Sequence, residues 1–257
     1  MCQRMRLVSY NILDGGEGRA DPLAEVIEAQ RPDIVALVEA ENHAVVERIS
    51  RRLKMECVEA VGNRHGAALL SRWPIVESVN HSLLREGFSD AFLQATVHDA
   101  SGRDWIVGVA HLHPRAGVAD DLVRQGEVAM ILEILAEERK ANTPHLLAGD
   151  FNSDSPVQNI DPATCKPATQ KAWVANGNCL PRGAVQKLLE AGYVDTLHAL
   201  HPKEAADVGS FTTQFPGQRL DYVFAFGFGD RLKKAWIEQD RLAKYASDHF
   251  PVGVEIE

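Results

Sequence analysis

His145-Leu146-Leu147-Ala148-Gly149-Asp150-Phe151-Asn152 is the stretch whose reading decides the fold. Three apolar residues run into a glycine and then into two polar residues separated by one aromatic, the pattern of a buried strand ending in a functional loop. At positions i and i+2, Asp150 and Asn152 can face the same way from the strand's end. They offer a carboxylate that accepts a proton or holds a cation, and a neutral amide that donates to a phosphoryl oxygen without adding negative charge. That pairing suits phosphate-ester chemistry. The same residues also make an ordinary strand-end Asx turn, with Gly149 easing the backbone, so the choice rests on the rest of the chain.

The chain has 257 residues, 45% hydrophobic and 25% charged, the range of a globular protein able to bury a substantial core. Acidic residues outnumber basic ones 36 to 27, and the resulting charge of −9 works against long-range attraction to a polyanion. A small or locally gripped substrate is therefore favoured over non-specific hold on nucleic acid. The four cysteines, Cys2, Cys57, Cys165 and Cys179, show no zinc or redox spacing, and only Cys165 and Cys179 lie close enough in sequence to suggest a disulfide. The N-terminal MCQRMRLVSYN enters a strand-like run without the apolar core of a signal peptide. No apolar run approaches a membrane span, so the expected location is the cytoplasm.

Outward from the opening stretch, other apolar runs also end in polar residues. Residues 7–10 read as a strand leading to Asn11. The glycine-rich loop that follows lacks the Gly-Lys-Ser/Thr of a phosphate-cradling loop and reads as a flexible rim. Asp21-Pro22 supplies an N-cap and a first-turn proline for a helix to about Gln30. Ile34 to Val38 form a continuous apolar strand ending at Glu39, which is either a solvated strand end or a metal ligand. Val45, Ile49 and Leu53 mark an amphipathic helix. Short strands are predicted over 57–61, 67–70, 75–79 and 92–97, and a further strand over 105–110 delivers His111-Leu112-His113-Pro114-Arg115. Two histidines at i and i+2 read either as a metal pair or as one functional and one exposed residue, with His111, nearest the strand, the active member.

A long helix is predicted over 119–140 with Leu122, Ala129, Leu132 and Ala136 along its apolar stripe. Residues 159–182 are rich in Pro, Ala, Thr and Asn without periodicity and read as an irregular insertion, either a cover for substrate or a plain surface loop. A short helix closed by Gly192 follows, then the segment opened by Tyr193-Val194-Asp195. Phe211-Thr212-Thr213 reads as a short strand. Leu220-Asp221-Tyr222-Val223-Phe224 is a strand with an acid near its start, and Ser247-Asp248-His249 precedes a last strand over 251–256. Alternating strands and helices indicate an α/β protein with helices packed outside its sheets.

Asn11, Glu39, His111, Asp150, Asn152, Asp221, Asp248 and His249 thus all sit at or beside the ends of apolar runs, which packed sheets gather onto one rim. Their order and context resemble the metal-dependent endonuclease/exonuclease/phosphatase superfamily. Its members include pancreatic-type deoxyribonucleases, abasic-site endonucleases, inositol-polyphosphate 5-phosphatases, bacterial sphingomyelinases and tyrosyl-DNA phosphodiesterases. The resemblance is carried by SYNI, LVEAEN, GAALLSRWPI, VAHLHP, LLAGDFN, RLDYVF and SDHFPV, in the family's order. LVEAEN departs from the Gln-Glu more usual before the metal-binding acid.

The resemblance implies a four-layer α/β sandwich, two face-to-face mixed β-sheets flanked by helices, as one domain over 1–257 with its insertion at about 159–182. It also implies a pseudo-twofold repeat of SYN…LVEA in VAHLHP…LLAGDFN. The implied activity is metal-dependent hydrolysis of a phosphoester, in a phosphodiester or a small phosphorylated compound. In that reading Glu39, helped by Asn11, binds Mg²⁺ or Mn²⁺ through oxygen ligands, and Asp248 is a further ligand. Asp150 orients or deprotonates the attacking water, while Asn152 and His111 donate to the non-bridging oxygens. Asp221 positions His249, which stays cationic near neutrality and binds the scissile phosphate or assists the leaving group. His113 and Arg115 are candidates for gripping a second phosphate or polar head group. A nuclease or DNA-end-processing phosphodiesterase is the alternative, and it requires a basic groove built in three dimensions. A non-catalytic binding module on the same fold is the alternative from another class.

Overall fold

A computed structural model describes residues 4–257, so Cys2 and the start of the N-terminal stretch lie outside the described residues. Twelve strands form two sheets of six. They are β1 (Met5–Asn11), β2 (Ile34–Val38), β3 (Glu56–Ala60), β4 (Ala67–Ser71), β5 (Ile75–Asn80), β6 (Phe92–His98), β7 (Asp104–His111), β8 (His145–Asp150), β9 (Val194–Asp195), β10 (Asp221–Phe226), β11 (Leu232–Ile237) and β12 (Val252–Ile256). The first sheet runs β11-β12-β1-β2-β4-β3 and the second β5-β6-β7-β8-β10-β9. Each is mixed. β1 lies parallel to β2 and β7 parallel to β8, while the flanking pairs are antiparallel.

The continuous apolar runs follow from burial on both sides. On β2, Ile34, Ala36 and Val38 point into the core between the sheets, where they join Val107, Val109 and Ala148 of the second sheet. Val35 and Leu37 point the other way, onto Ile27 of α1 (Ala20–Ala29) and Val46 and Ile49 of α2 (His43–Leu53). The second sheet does the same with Leu147 and Phe224 against Val128 and Ile131 of α3 (Val118–Ile134) and Leu188 of a later helix. A strand covered on both faces has no polar alternation to show. Helices outside two stacked sheets give the four-layer α/β sandwich that the resemblance implied.

Each parallel pair is one strand-helix-strand unit, and each unit ends in polar residues. In the first, Asn11 is level with Val38, the residue before Glu39; in the second, His111 is level with Asp150. Asp221 opens β10 directly opposite Asp150. Gly149 makes this close approach possible: at φ 142, a Cβ there would lie 1.9 Å from the carbonyl oxygen of Ala110.

Several sequence expectations change in the structure. The first helix starts at Ala20, so Asp21 is not its cap; Pro22 sits within the first turn, where no N–H partner is lost. The predicted helix over 119–140 is two helices, α3 and α4 (Ala136–Lys140), which meet at Leu135. Its expected stripe is displaced: Leu122 is exposed, and the buried face carries Asp121, Arg124 and Glu127 beside Val128 and Ile131. Those polar side chains are buried because they hold loops, as shown below. Residues 159–182 are not irregular throughout, since they contain α5 (Pro167–Ala175), entered through a proline at its first position. That helix buries only Thr169, which is why its sequence has no stripe. Phe211 makes isolated bridges to Gln218 and His249 instead of a strand. Cys57, Cys165 and Cys179 are free thiols, so Cys165 and Cys179 do not pair. Among the described residues no helix is long and apolar enough to cross a membrane.

Candidate active site

The ends of the two central units meet in one buried cluster. Asn11 bridges them, with Nδ2 donating to Glu39 Oε1 at 3.0 Å and to Asp150 Oδ2 at 3.2 Å. Its side-chain oxygen is occupied by the Leu13 N–H. Asn11 therefore turns its nitrogen to the centre, where it positions two carboxylates, and not the oxygen a metal ligand would need. His111 Nε2 lies 3.6 Å from Asp150 Oδ2 and 3.9 Å from Glu39 Oε1. His249 Nε2 lies 3.7 Å from the same Asp150 oxygen.

His249 Nδ1 contacts Asp221 Oδ2 at 2.8 Å, which leaves Nε2 for the pocket. Burial alone would push this imidazole's pKa down, but the charges of Asp221 and Asp150 outweigh it and raise the value to about 10. Asp221 is itself held: the Ser210 hydroxyl donates to its Oδ2 at 2.7 Å and accepts from the Leu220 and Asp221 N–H groups. Burial and the charge of Asp221 raise Asp150 to about 6, against the opposing effects of His249 and His111. A carboxylate so placed can exchange a proton near neutrality.

Glu39 closes the other side. Its Oε1 receives Asn11 and its Oε2 the Asp14 N–H at 2.8 Å, and its backbone is in the left-handed region at φ 54. Burial works to raise its pKa, yet the charge of His111 and these hydrogen bonds hold it below the ordinary carboxylate value. One ligand atom each from Asp14, Glu39 and His65 lie within 4.8 Å of one another. His65 Nδ1 contacts Glu41 Oε1 at 3.2 Å, leaving Nε2 for the cluster, the arrangement that fixes a metal-binding imidazole. Carboxylate oxygens with one imidazole fit a hard divalent cation. Asp150, Asp221 and His249 also lie close together, but there Asp221 Oδ2 is already engaged by His249 Nδ1 and Asp150 Oδ2 by Asn11.

The remaining expected residues separate. Asn152, at φ 47, gives one amide hydrogen to the Leu112 carbonyl at 3.0 Å and keeps the other for a ligand; its N–H donates to Asp150 Oδ1. Asp248 lines the pocket with Oδ1 3.9 Å from His249 Nε2, and among the described residues it joins neither metal-competent group. His113 does not line the pocket, because its ring contacts Ser89 Oγ at 3.0 Å and Asp120 Oδ1 at 3.1 Å. Arg115 does line it. The loop bearing both is fastened by the buried face of α3: Arg124 donates to the carbonyls of His113 and Arg115, and Glu127 accepts from the N–H groups of His113 and Ser89.

Sequence reasoning missed Asp90, Arg64, His65, Ser210 and Lys166. Asp90 is the hub of the first three: its carboxylate meets Arg64 at 2.7 Å, the His65 N–H at 3.1 Å and His111 Nδ1 at 3.4 Å. Its signal was available, since it too is an acid at the boundary of an apolar run, directly before Ala91-Phe92-Leu93. The pocket above the cluster holds about 550 Å³ and is lined by Glu39, His111, Asp150, Asn152 and His249 together with Arg64, Arg115, Lys166 and α5.

Two mixed sheets with strand-end acids, amides and histidines on one rim define the class of protein. The profile of the Endonuclease/Exonuclease/phosphatase family matches residues 8–249, and the chain belongs to that family. Among solved structures, an AP endonuclease from Archaeoglobus fulgidus is similar at 20% identity and a TM-score of 0.73, over 98% of this chain and 99% of that one. A 3′ phosphatase NExo from Neisseria, bound to a product DNA hairpin, is similar at 21% identity and 0.74, over 98% and 99%. A humanised TDP2 of D. rerio reaches 18% identity and 0.67, over 99% of both chains. At these identities the likeness is one of fold. No curated protein matches the chain.

Proposed function

We propose that this protein is a divalent-metal-dependent hydrolase of a phosphoester bond. The observation that carries the reading is His249, a buried imidazole held through Nδ1 by Asp221, with Nε2 3.7 Å from the Asp150 carboxylate in a pocket that Glu39 also lines.

Glu39, Asp14 and His65 would hold Mg²⁺ or Mn²⁺. An ion held there would supply Lewis-acid polarisation of the phosphoryl group and offset charge in the transition state. Asp150 orients the attacking water and takes its proton as the oxygen bonds to phosphorus. Asn11 keeps that carboxylate in place. His111 Nε2 and the second amide hydrogen of Asn152 donate to the non-bridging oxygens as negative charge develops, while His249 Nε2–H faces the leaving oxygen. The bond to the leaving oxygen then breaks, and His249 supplies the proton that this oxygen needs. Asp221 keeps His249 charged and correctly turned throughout.

The test is turnover of bis-p-nitrophenyl phosphate and p-nitrophenyl phosphate with Mg²⁺, Mn²⁺ or EDTA, in wild type, His249→Ala and Asp150→Asn. Metal-dependent turnover that drops about 100-fold or more in each variant is expected. Hydrolysis that continues in EDTA, or survives both substitutions, would sink the proposal. Biological activity of Asp150→Asn without hydrolysis would point to a binding module.

The nuclease reading has one specific support: NExo, a structure of similar fold, is bound to a DNA hairpin. It requires DNA binding that weakens steeply with salt, against the chain's net charge of −9.

A further inference from the structure

Within residues 159–182, α5 forms one wall of the pocket, and that helix is fastened at both ends. Near its start, Thr169 Oγ1 donates to Gln218 Oε1 at 2.7 Å, and Gln218 Nε2 donates to the buried Asp154 at 2.9 Å. Just past its end, Asn176 Nδ2 donates to the carbonyl of Ala116 at 2.6 Å. Ala116 and Ala172 both line the pocket, so the Asn176 bond joins its two sides.

Two cations line this pocket without a direct ion pair, although the charges of Asp248 and Asp150 act on Lys166 from a distance. Lys166 carries its ammonium 4.0 Å from the ring centroid of Phe211, and that ring packs against His249 with centroids 4.5 Å apart. Among the described residues, the Lys166 side chain has no hydrogen bond or ion pair. The Arg115 guanidinium has none either, although its backbone is fixed at φ 76 with its carbonyl held by Arg124. Arg64 differs, being neutralised by Asp90. A half-buried lysine and a free guanidinium beside a phosphate-binding centre leave two positive charges for a ligand to satisfy.

We propose that Lys166 and Arg115 form a second anion subsite, so that the substrate is a compact phosphate ester carrying a further anionic group. The proposal rests on the hydrolase reading for what happens at His249. The ester lies against His249 and Asp150, and the further anion lies between Lys166 and Arg115. A compact ester needs no path past α5 and the Asn176–Ala116 bond, whereas an uninterrupted duplex would have to run past them.

The test is calorimetric binding of adenosine 3′,5′-bisphosphate and adenosine 5′-monophosphate in EDTA, to wild type, Lys166→Gln, Arg115→Gln and the double variant. The wild type is expected to prefer the bisphosphate by about tenfold or more, each single variant to reduce that preference and the double variant to abolish it. Equal affinities in the wild type, or a preference that survives in the double variant, overturns the subsite. So does nicking of covalently closed plasmid as fast as bis-p-nitrophenyl phosphate is cut. A preference lost in the double variant, with no ester turned over under any metal, upholds the subsite and sinks the hydrolase reading. Turnover without preference does the reverse.

Discussion

Asp221 Oδ2 lies 2.8 Å from His249 Nδ1, and Asp221 reaches it from the first residue of β10, directly opposite Asp150 in the ladder. One strand pairing thus fixes both acids that charge the imidazole. The field they create raises His249 to about 10 against the downward effect of its burial.

Replacing Asp221 by Asn keeps the shape and removes the first of those charges. The imidazole then loses its proton at a lower pH, so the alkaline limb of kcat/KM moves down by about one unit or more. Activity at neutral pH falls as well, by about 100-fold. The measurement is a pH–rate profile of both proteins. A uniform loss with an unmoved alkaline limb would mean that Asp221 only packs against His249.

Glu127 illustrates positioning from a distance. Its two carboxylate oxygens accept from Ser89 N–H at 2.7 Å and His113 N–H at 2.8 Å, within a buried helix face. Glu127→Ala strands two donors and is expected to cost about 2–4 kcal/mol of stability. It also frees the loop that carries Arg115, so KM should rise more than kcat falls. Glu127→Gln, with one acceptor left, should lie between wild type and Ala in both thermal melts and KM. An Ala variant that melts lower with unchanged KM would make Glu127 purely structural.

How much of this was readable from the chain depends on what each residue is next to. Asn11, Glu39, His111 and Asp150 each close an apolar run, and on β2, covered on both faces, no other polar residue competes with Glu39 for notice. The α/β class followed from the same runs, and the four-layer sandwich from the family resemblance that their motifs carry. His65, Arg64 and Lys166 sit in loops or at a helix start, and only the folding of β3–β4 and α5 around the rim brings them to the pocket. The stripe of α3 was misread because its buried face is polar: Arg124 and Glu127 are inside to hold backbone groups that have no ladder partner. A periodicity of apolar residues cannot find a face like that.

Arg219 and Asp195 form an ion pair with two contacts of 3.0 and 2.7 Å and both side chains almost fully buried. The pair ties the short β9 to the turn that introduces Asp221. Arg219→Ala leaves a buried carboxylate without its cation and is expected to cost about 3–5 kcal/mol. The double variant Arg219→Met with Asp195→Leu should recover part of that loss, because no charge remains buried. Urea unfolding of the three proteins checks it. A single variant within about 1 kcal/mol of wild type would show that water reaches Asp195.

Asp154 supplies the pH-dependent stability prediction. It is buried, its Oδ2 accepts from Gln218 and its Oδ1 has no partner. Burial raises its pKa to about 6, although Gln218 and the charges of Arg182, Arg124 and Arg219 pull the other way. For a carboxyl whose folded pKa lies above its unfolded value, the favourable contribution is complete below the unfolded pKa, near 3.8, and is lost as pH rises through about 6. Asp154→Asn cannot ionise and escapes that loss. The stability of the variant minus that of wild type should therefore climb by about 1–3 kcal/mol between pH 4 and pH 7 and level off above it. Melting temperatures across that range measure the difference, and its slope is independent of any constant cost from the new amide. A flat difference would mean that the arginines around Asp154 already balance its burial.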